Sequence, residues 1–181
     1  MRLEELREAC LRGERFKYVL FWGHQPERDG RISKSCFSQW WPATFELDGL
    51  EYPTAEHYMM SEKARLFGDE EARSKILSAS HPGAAKKFGR EVRGFDEAKW
   101  ESHREAVVFR ATLAKFTQHP DLGEFLDRTG EKVLVEASPV DRIWGIGLAA
   151  DNPAAEDPAR WKGLNLLGFA LMDAREARRS G

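Results

Sequence analysis

Apolar and polar positions alternate between two periods along this chain, and the changes of period mark its elements. Leu3, Leu6 and Cys10 fall at helical spacing in a charged N-terminal stretch, which predicts a short amphipathic helix ending near Gly13. Residues 16–22 (FKYVLFW) are aromatic and β-branched enough to predict a strand, followed by a polar loop over 24–34. Residues 37–47 predict aromatic-rich extended structure, and Asp48-Gly49 a hairpin turn into Leu50-Glu51-Tyr52. A helix should begin just after Pro53, with Thr54 as its N-cap and Gly68 as its stop. A second helix is expected over 70–79, broken at His81-Pro82-Gly83. The longest helical pattern starts at Asp96 and carries Trp100, Val107, Ala111 and Ala114 near one face. A second strand is expected over 132–137 (KVLVEA), then a Gly-, Asp-, Asn- and Pro-rich loop over 145–158. The pattern closes with a helix over 164–178 that turns Leu167, Leu171 and Met172 inward. The expectation is a helix-dominated α+β fold with a small, interrupted sheet, in one domain over residues 1–181.

Composition narrows the functional classes. The 181 residues are 41% hydrophobic and 32% charged, ordinary values for a globular chain, with no repeat or linker. A net charge of −2 argues against a whole-surface grip on nucleic acid or anionic membrane, although 28 Lys and Arg leave room for a local basic groove. The Lys86-Lys87 and Arg90…Arg93 cluster is one such stretch, read here as a solvated charged segment. Two cysteines, Cys10 and Cys36, and five scattered histidines have no metal-ligand spacing, so no metal and no cofactor are expected. The N-terminus is too charged for a signal peptide, and no stretch approaches a membrane span, so a cytoplasmic protein is expected.

The candidate chemistry sits on the helix after Pro53. Glu56 and Lys63 are seven residues apart, nearly two turns, so they share a face with roughly 10 Å of axial rise between them. That is too far for an i,i+4 ion pair, but it suits a small substrate held between a carboxylate and an amine. Met59 and Met60 lie between them and give the pair an apolar border. The competing account is structural: a Glu in the first turn and a Lys further on complement the helix dipole, and Met at this spacing is core.

Other residues extend the list. Glu136 interrupts an apolar strand pattern, and Asp141 follows Pro139 in a turn three residues before Trp144-Gly145-Ile146-Gly147. That GxG element would let backbone amides approach a phosphate or ribose while Trp144 stacks on a base, but it lacks the strand–glycine–helix setting of a dinucleotide fingerprint. Trp22, Phe37, Trp40 and Trp41 are either core aromatics or a stacking wall.

Several segments together resemble one family. They are Phe21-Trp22, Phe37-Ser38-Gln39-Trp40, Thr54-Ala55-Glu56-His57-Tyr58…Lys63-Ala64, Trp100, Arg104, Lys115-Phe116, Glu136-Ala137…Trp144-Gly145-Ile146-Gly147, and residues 163–168 (GLNLLG) with Leu171-Met172 and Arg175. In this order and spacing, from about Tyr18 to Arg175, the chain resembles the NADAR, or YbiA-like, domain. The resemblance implies an N-glycosidase that cleaves the C1–N bond between a ribose and an exocyclic amine, on a sugar that carries phosphate. One branch of the family acts on phosphorylated ribosylaminopyrimidines of the riboflavin pathway, and another removes ADP-ribose from guanine in DNA or RNA. The resemblance implies Lys63 as the catalytic residue that captures C1 as a Schiff base; Glu56, from its place on the helix, and Asp141, from its place before Trp144-Gly145, are the other expected catalytic residues. Trp22, Phe37, Ser38, Trp40, Glu136, Trp144, Gly145 and Gly147 are the expected substrate contacts. The alternative is a module that binds ADP-ribose or a related nucleotide without turning it over.

Overall fold

The computed structural model describes residues 1–180. Among them the elements run α1 (Leu3–Leu11), β1 (Tyr18–Phe21), a 3-10 turn (Lys34–Phe37), β2 (Phe45–Leu47), β3 (Leu50–Tyr52), α2 (Ala55–Leu66), α3 (Glu70–Leu77), α4 (Pro82–Arg90), α5 (Glu97–Gln118), α6 (Pro120–Asp127), β4 (Val133–Glu136), a second 3-10 turn (Pro158–Arg160) and α7 (Leu166–Ser180). They form two compact units, Met1–Ser38 together with the residues from Pro120 onward, and Gln39–His119. No helix among the described residues is long and apolar enough to cross a membrane.

The first unit is built on a parallel pair, β1 beside β4, in a register that sets Tyr18 opposite Val133 and Phe21 opposite Glu136. Its core is apolar, with Leu6 of α1, Val133 and Val135 of β4, Ile146, and Phe169 of α7 all buried. Asn165 explains why this sheet stops at two strands. It is fully buried at a φ of 56°, and its side-chain oxygen accepts from the Glu136 amide at 3.0 Å while its nitrogen donates to the Leu134 carbonyl at 2.9 Å. One amide side chain thus does for the second edge of β4 what a neighbouring strand would do. Gly168 lets α7 lie against that edge, because a β carbon there would fall 2.1 Å from the Leu134 carbonyl oxygen.

The second unit carries the hairpin and four helices. Asp48 and Gly49 have φ of 55° and 75°, the pair of positive values that a two-residue hairpin turn needs between β2 and β3. Phe45, Tyr52 and Tyr58 pack against one another and bring the hairpin onto α2. Thr54 caps α2 by accepting from the His57 amide at 3.4 Å, and Gly68 leaves it at a φ of 69°, as the spacing predicts. Asp96 caps α5, which runs for 22 residues.

Three expectations change. His81-Pro82-Gly83 starts a helix and does not merely end one: His81 accepts from the Ala84 amide at 3.1 Å, and Pro82 occupies the first turn, where its missing N–H is harmless. Lys86, Lys87 and Arg90 therefore stand on the ordered helix α4. Residues 34–37 form a 3-10 turn where the expected loop was to run into extended chain at Phe37, and α6 begins at a second such proline, Pro120.

Candidate active site

Thr54 sets the phase of α2, and that phase places its functional side chains. The Thr54 hydroxyl lies 2.8 Å from His57 Nδ1, and His57 Nε2 lies 3.0 Å from the Ala79 carbonyl. These partners fit a neutral imidazole that donates from Nε2 and accepts at Nδ1. Burial holds the His57 pKa below the usual histidine value, so this residue is a strut between α2 and the end of α3. Glu56, beside it, is 2% exposed, and its amide donates to the Gln39 carbonyl at 3.0 Å. Nearly two turns on, Lys63 leaves the same face.

Lys63 is half-buried, and its Nζ donates to the Gly89 carbonyl of α4 at 2.8 Å. The amine sits 4.2 Å from the centroid of the Phe95 ring and 6.0 Å from that of Trp100. The carbonyl and the ring faces attract an ammonium. Burial and the neighbouring Arg90 charge oppose it, and the balance is a pKa below that of an ordinary lysine. Its ammonium is thus less favoured than that of a surface lysine. Gly89 is essential to the arrangement, since a β carbon on it would lie 2.1 Å from Met60 Sδ. That close crossing brings the last turn of α4 within reach of Lys63. Trp40, also in this unit, is half-buried with Lys86 Nζ 5.8 Å from its ring centroid.

The remaining candidates belong to the first unit. Trp22 follows directly on β1 and is 59% exposed, and Glu136 is the half-buried last residue of β4, so both lie at the carboxyl end of the parallel pair. Phe37 is 1% exposed and packs between Phe21 and Phe125, with ring centroids at 5.4 and 5.5 Å. Ser38 ends the 3-10 turn, its amide donating to the Ser35 carbonyl at 3.1 Å. Asp141 Oδ1 accepts from the amides of Ile143 and Trp144, each at 2.8 Å, which is the geometry of a side chain shaping its own turn.

The glycines of the Trp144-Gly145-Ile146-Gly147 loop also have structural reasons. A β carbon on Gly145 would fall 2.8 Å from the Glu136 carbonyl oxygen, and Gly147 has a φ of 66°. The Ile146 and Gly147 amides donate to the Glu136 and Asp141 carbonyls, and the Trp144 amide to the Asp141 side chain. These three donors are therefore already engaged, by the end of β4 and by Asp141.

Sequence reasoning missed Gly89, Arg90 and Phe95 as neighbours of Lys63. No spacing rule joins them to it, because the contact depends on how α4 crosses α2. Among the described residues, no group of three or more His, Cys, Asp or Glu gathers as a metal site.

Comparison with known proteins gives this geometry its family. The NADAR domain matches over residues 20–179. N-glycosidase R617 of Acanthamoeba polyphaga mimivirus is 44% identical over 165 residues, spanning 88% of this chain and 95% of that protein. N-glycosidase YbiA of Escherichia coli (strain K12) is 37% identical over 136 residues, 75% of each chain. The NMR structure of E. coli YbiA superposes with a TM-score of 0.69 at 30% identity, covering 92% of this chain and 88% of that one. The chain therefore belongs to the NADAR domain family, a helix-dominated α+β fold whose relatives include enzymes named N-glycosidases, hydrolases that act on N-glycosyl bonds.

Proposed function

We propose that this chain is an N-glycosidase that hydrolyses the bond between ribose C1 and an exocyclic amine on a sugar carrying phosphate. Lys63 is the amine that takes C1, and Glu56 holds the ribose hydroxyls or moves the protons. The observation that carries the reading is the setting of Lys63: half-buried against aromatic faces, beside a second cation, with a lowered pKa. A lysine nucleophile at neutral pH needs those conditions.

The chemistry follows from them. The C1–O4′ bond opens as the exocyclic nitrogen's lone pair forms C1=N, and O4′ takes a proton. The neutral Lys63 amine adds to C1. A proton passes from Nζ to the departing nitrogen, the C1–N bond breaks, and C1=Nζ remains. Water then adds at C1, the C1–Nζ bond breaks, and the sugar ring closes. Glu56, in the first turn of α2 where the dipole favours its charged form, suits the base and proton carrier of these steps. The scheme requires only water and two side chains, and no cofactor.

Two substrates share this linkage, ADP-ribose on guanine in nucleic acid and the ribosylaminopyrimidine phosphates. Parallel assays of both, read by mass spectrometry, decide between them. Lys63→Ala should reduce turnover of the true substrate to background, and Glu56→Gln should reduce it by about 10²–10⁴-fold. Near-normal turnover by Lys63→Ala protein overturns the mechanism.

A further inference from the structure

Gln39–His119 contains six arginines, and five of them end on a carboxylate. Arg65 reaches Glu62 at 2.9 Å, Arg73 reaches Glu70 at 3.5 Å, Arg93 reaches Asp69 at 2.6 Å, Arg104 reaches Glu101 at 3.2 Å and Arg110 reaches Asp48 at 2.7 Å. Arg90 is the exception. It is exposed, and among the described residues its guanidinium has neither a carboxylate partner nor a hydrogen bond. Helix α4 supplies no counter-charge, for its sequence PGAAKKFGR contains no acid. Lys86 stands one turn before Arg90 on the same stripe, a like-charged i,i+4 pair that weakens a helix by a few tenths of a kcal/mol. Arg90 also directly follows Gly89, whose carbonyl holds the Lys63 amine. Arg90 thus acts on the Lys63 amine as a second cation, and the acid next to it in sequence, the C-cap residue Glu91, makes no ion pair with it.

We propose that Arg90, supported by Lys86, is the subsite that receives the phosphate on the substrate's sugar while Lys63 meets C1. The inference rests on the reading of Lys63 given above and adds to it the residue that selects a phosphorylated sugar. A guanidinium offers two parallel N–H donors that match two phosphate oxygens, which a lone ammonium does not. The phosphate hangs from C5, one sugar's length from C1, so its acceptor must be a close neighbour of the amine. Arg90 alone has that place and lacks a competing partner. The same subsite would take a ribose monophosphate or the sugar-side phosphate of a diphosphate.

The test uses the full-length protein and free sugars. Ribose or ribose 5-phosphate is incubated with borohydride; the Lys63 amine condenses with the C1 aldehyde, water leaves, and hydride reduces C1=Nζ to a stable amine seen by intact mass. Wild-type protein should trap ribose 5-phosphate at least about tenfold faster than ribose. Arg90→Ala should bring that ratio close to one, and Arg90→Lys should restore part of it. The ratio is the informative quantity, because any change in the reactivity of Lys63 acts on both sugars and cancels. An equal ratio in wild type and Arg90→Ala overturns the subsite, as does a fall in thermal stability with no change in ratio, which marks a helix-end cation only. Calorimetry of ribose 5-phosphate and of ADP-ribose on a Lys63→Ala background separates the two readings. Weaker binding on adding Arg90→Ala supports the subsite even where no adduct forms, and unchanged binding of both overturns it. Loss with ADP-ribose alone assigns the subsite to the diphosphate.

Discussion

Lys63 and Gly89 are held together by a 2.8 Å hydrogen bond from the lysine amine to the glycine carbonyl, and the lack of a side chain on Gly89 permits it against Met60, one turn before Lys63. Met60 Sδ, Cγ and Cβ lie 2.1, 2.8 and 3.1 Å from where a β carbon on residue 89 would stand. The thioether end can swing away, but its Cβ is fixed to the helix, so added bulk must push α4 off α2. Gly89→Ala should therefore cost about 1–3 kcal/mol, a fall of several degrees in Tm, and should also pull the carbonyl from Lys63. Gly89→Ala with Met60→Ala should be more stable than the sum of the two single effects, since the second change opens the space that the first requires. Strict additivity in denaturant unfolding would show that the crossing is looser than described.

His57 makes stability depend on pH. Burial lowers its folded pKa below the unfolded value of about 6.5, so the unfolded chain takes up this proton first. Its contribution is complete above that value and is lost as pH falls through it, levelling off once the folded imidazole also protonates. Urea midpoints should thus decline between about pH 7 and pH 5, and His57→Gln should flatten that decline. A variant as steep as wild type would place the titration in another group.

What could be read along the chain divides by range. Thr54, Gly68, the Asp48-Gly49 turn and the Asp96 cap are local signals, and each appears where its residue type predicts. His81-Pro82 looks like a break because proline ends helices, yet the same ring suits a first turn, as Pro82 and Pro120 both show. The partners of Lys63 lie 26 to 37 residues further on, at Gly89 and Trp100 with Phe95 between them, and meet it through a helix crossing that no periodicity encodes. Phe37 and the GxG loop show what sequence content leaves out: both are closely packed, Phe37 against Phe21 and Gly145 against the Glu136 carbonyl.

Asp141 tests that last point. If it shapes its turn through two amides, Asp141→Asn keeps an oxygen at the same place and should lose less than about tenfold in kcat, whereas Asp141→Ala forfeits two hydrogen bonds, about 1–2 kcal/mol locally, and should lose more. A proton-transferring carboxylate would instead make the asparagine variant as inactive as the alanine one. Steady-state kinetics on the two variants, with thermal melts alongside, distinguishes these outcomes.

Lys63 should impose its own titration on the rate. Its folded pKa lies below the ordinary lysine value of about 10.4, because burial and Arg90 disfavour the ammonium. The reactive species is the free amine, so kcat/KM should rise with pH and level off above that lowered pKa. The sign for stability is related: below the folded pKa the fold bears a buried, crowded charge, and the cost fades as pH rises through the window up to about 10.4, where the unfolded chain still holds the proton. NMR of isotope-labelled lysine side chains should show one resonance inflecting below the others and absent in Lys63→Ala. Arg90→Ala removes the neighbouring cation and should move both that inflection and the rising limb of kcat/KM to higher pH. A rate limb that stays in place while the lysine resonance moves would separate the nucleophile from Lys63 and assign the chemistry to another amine.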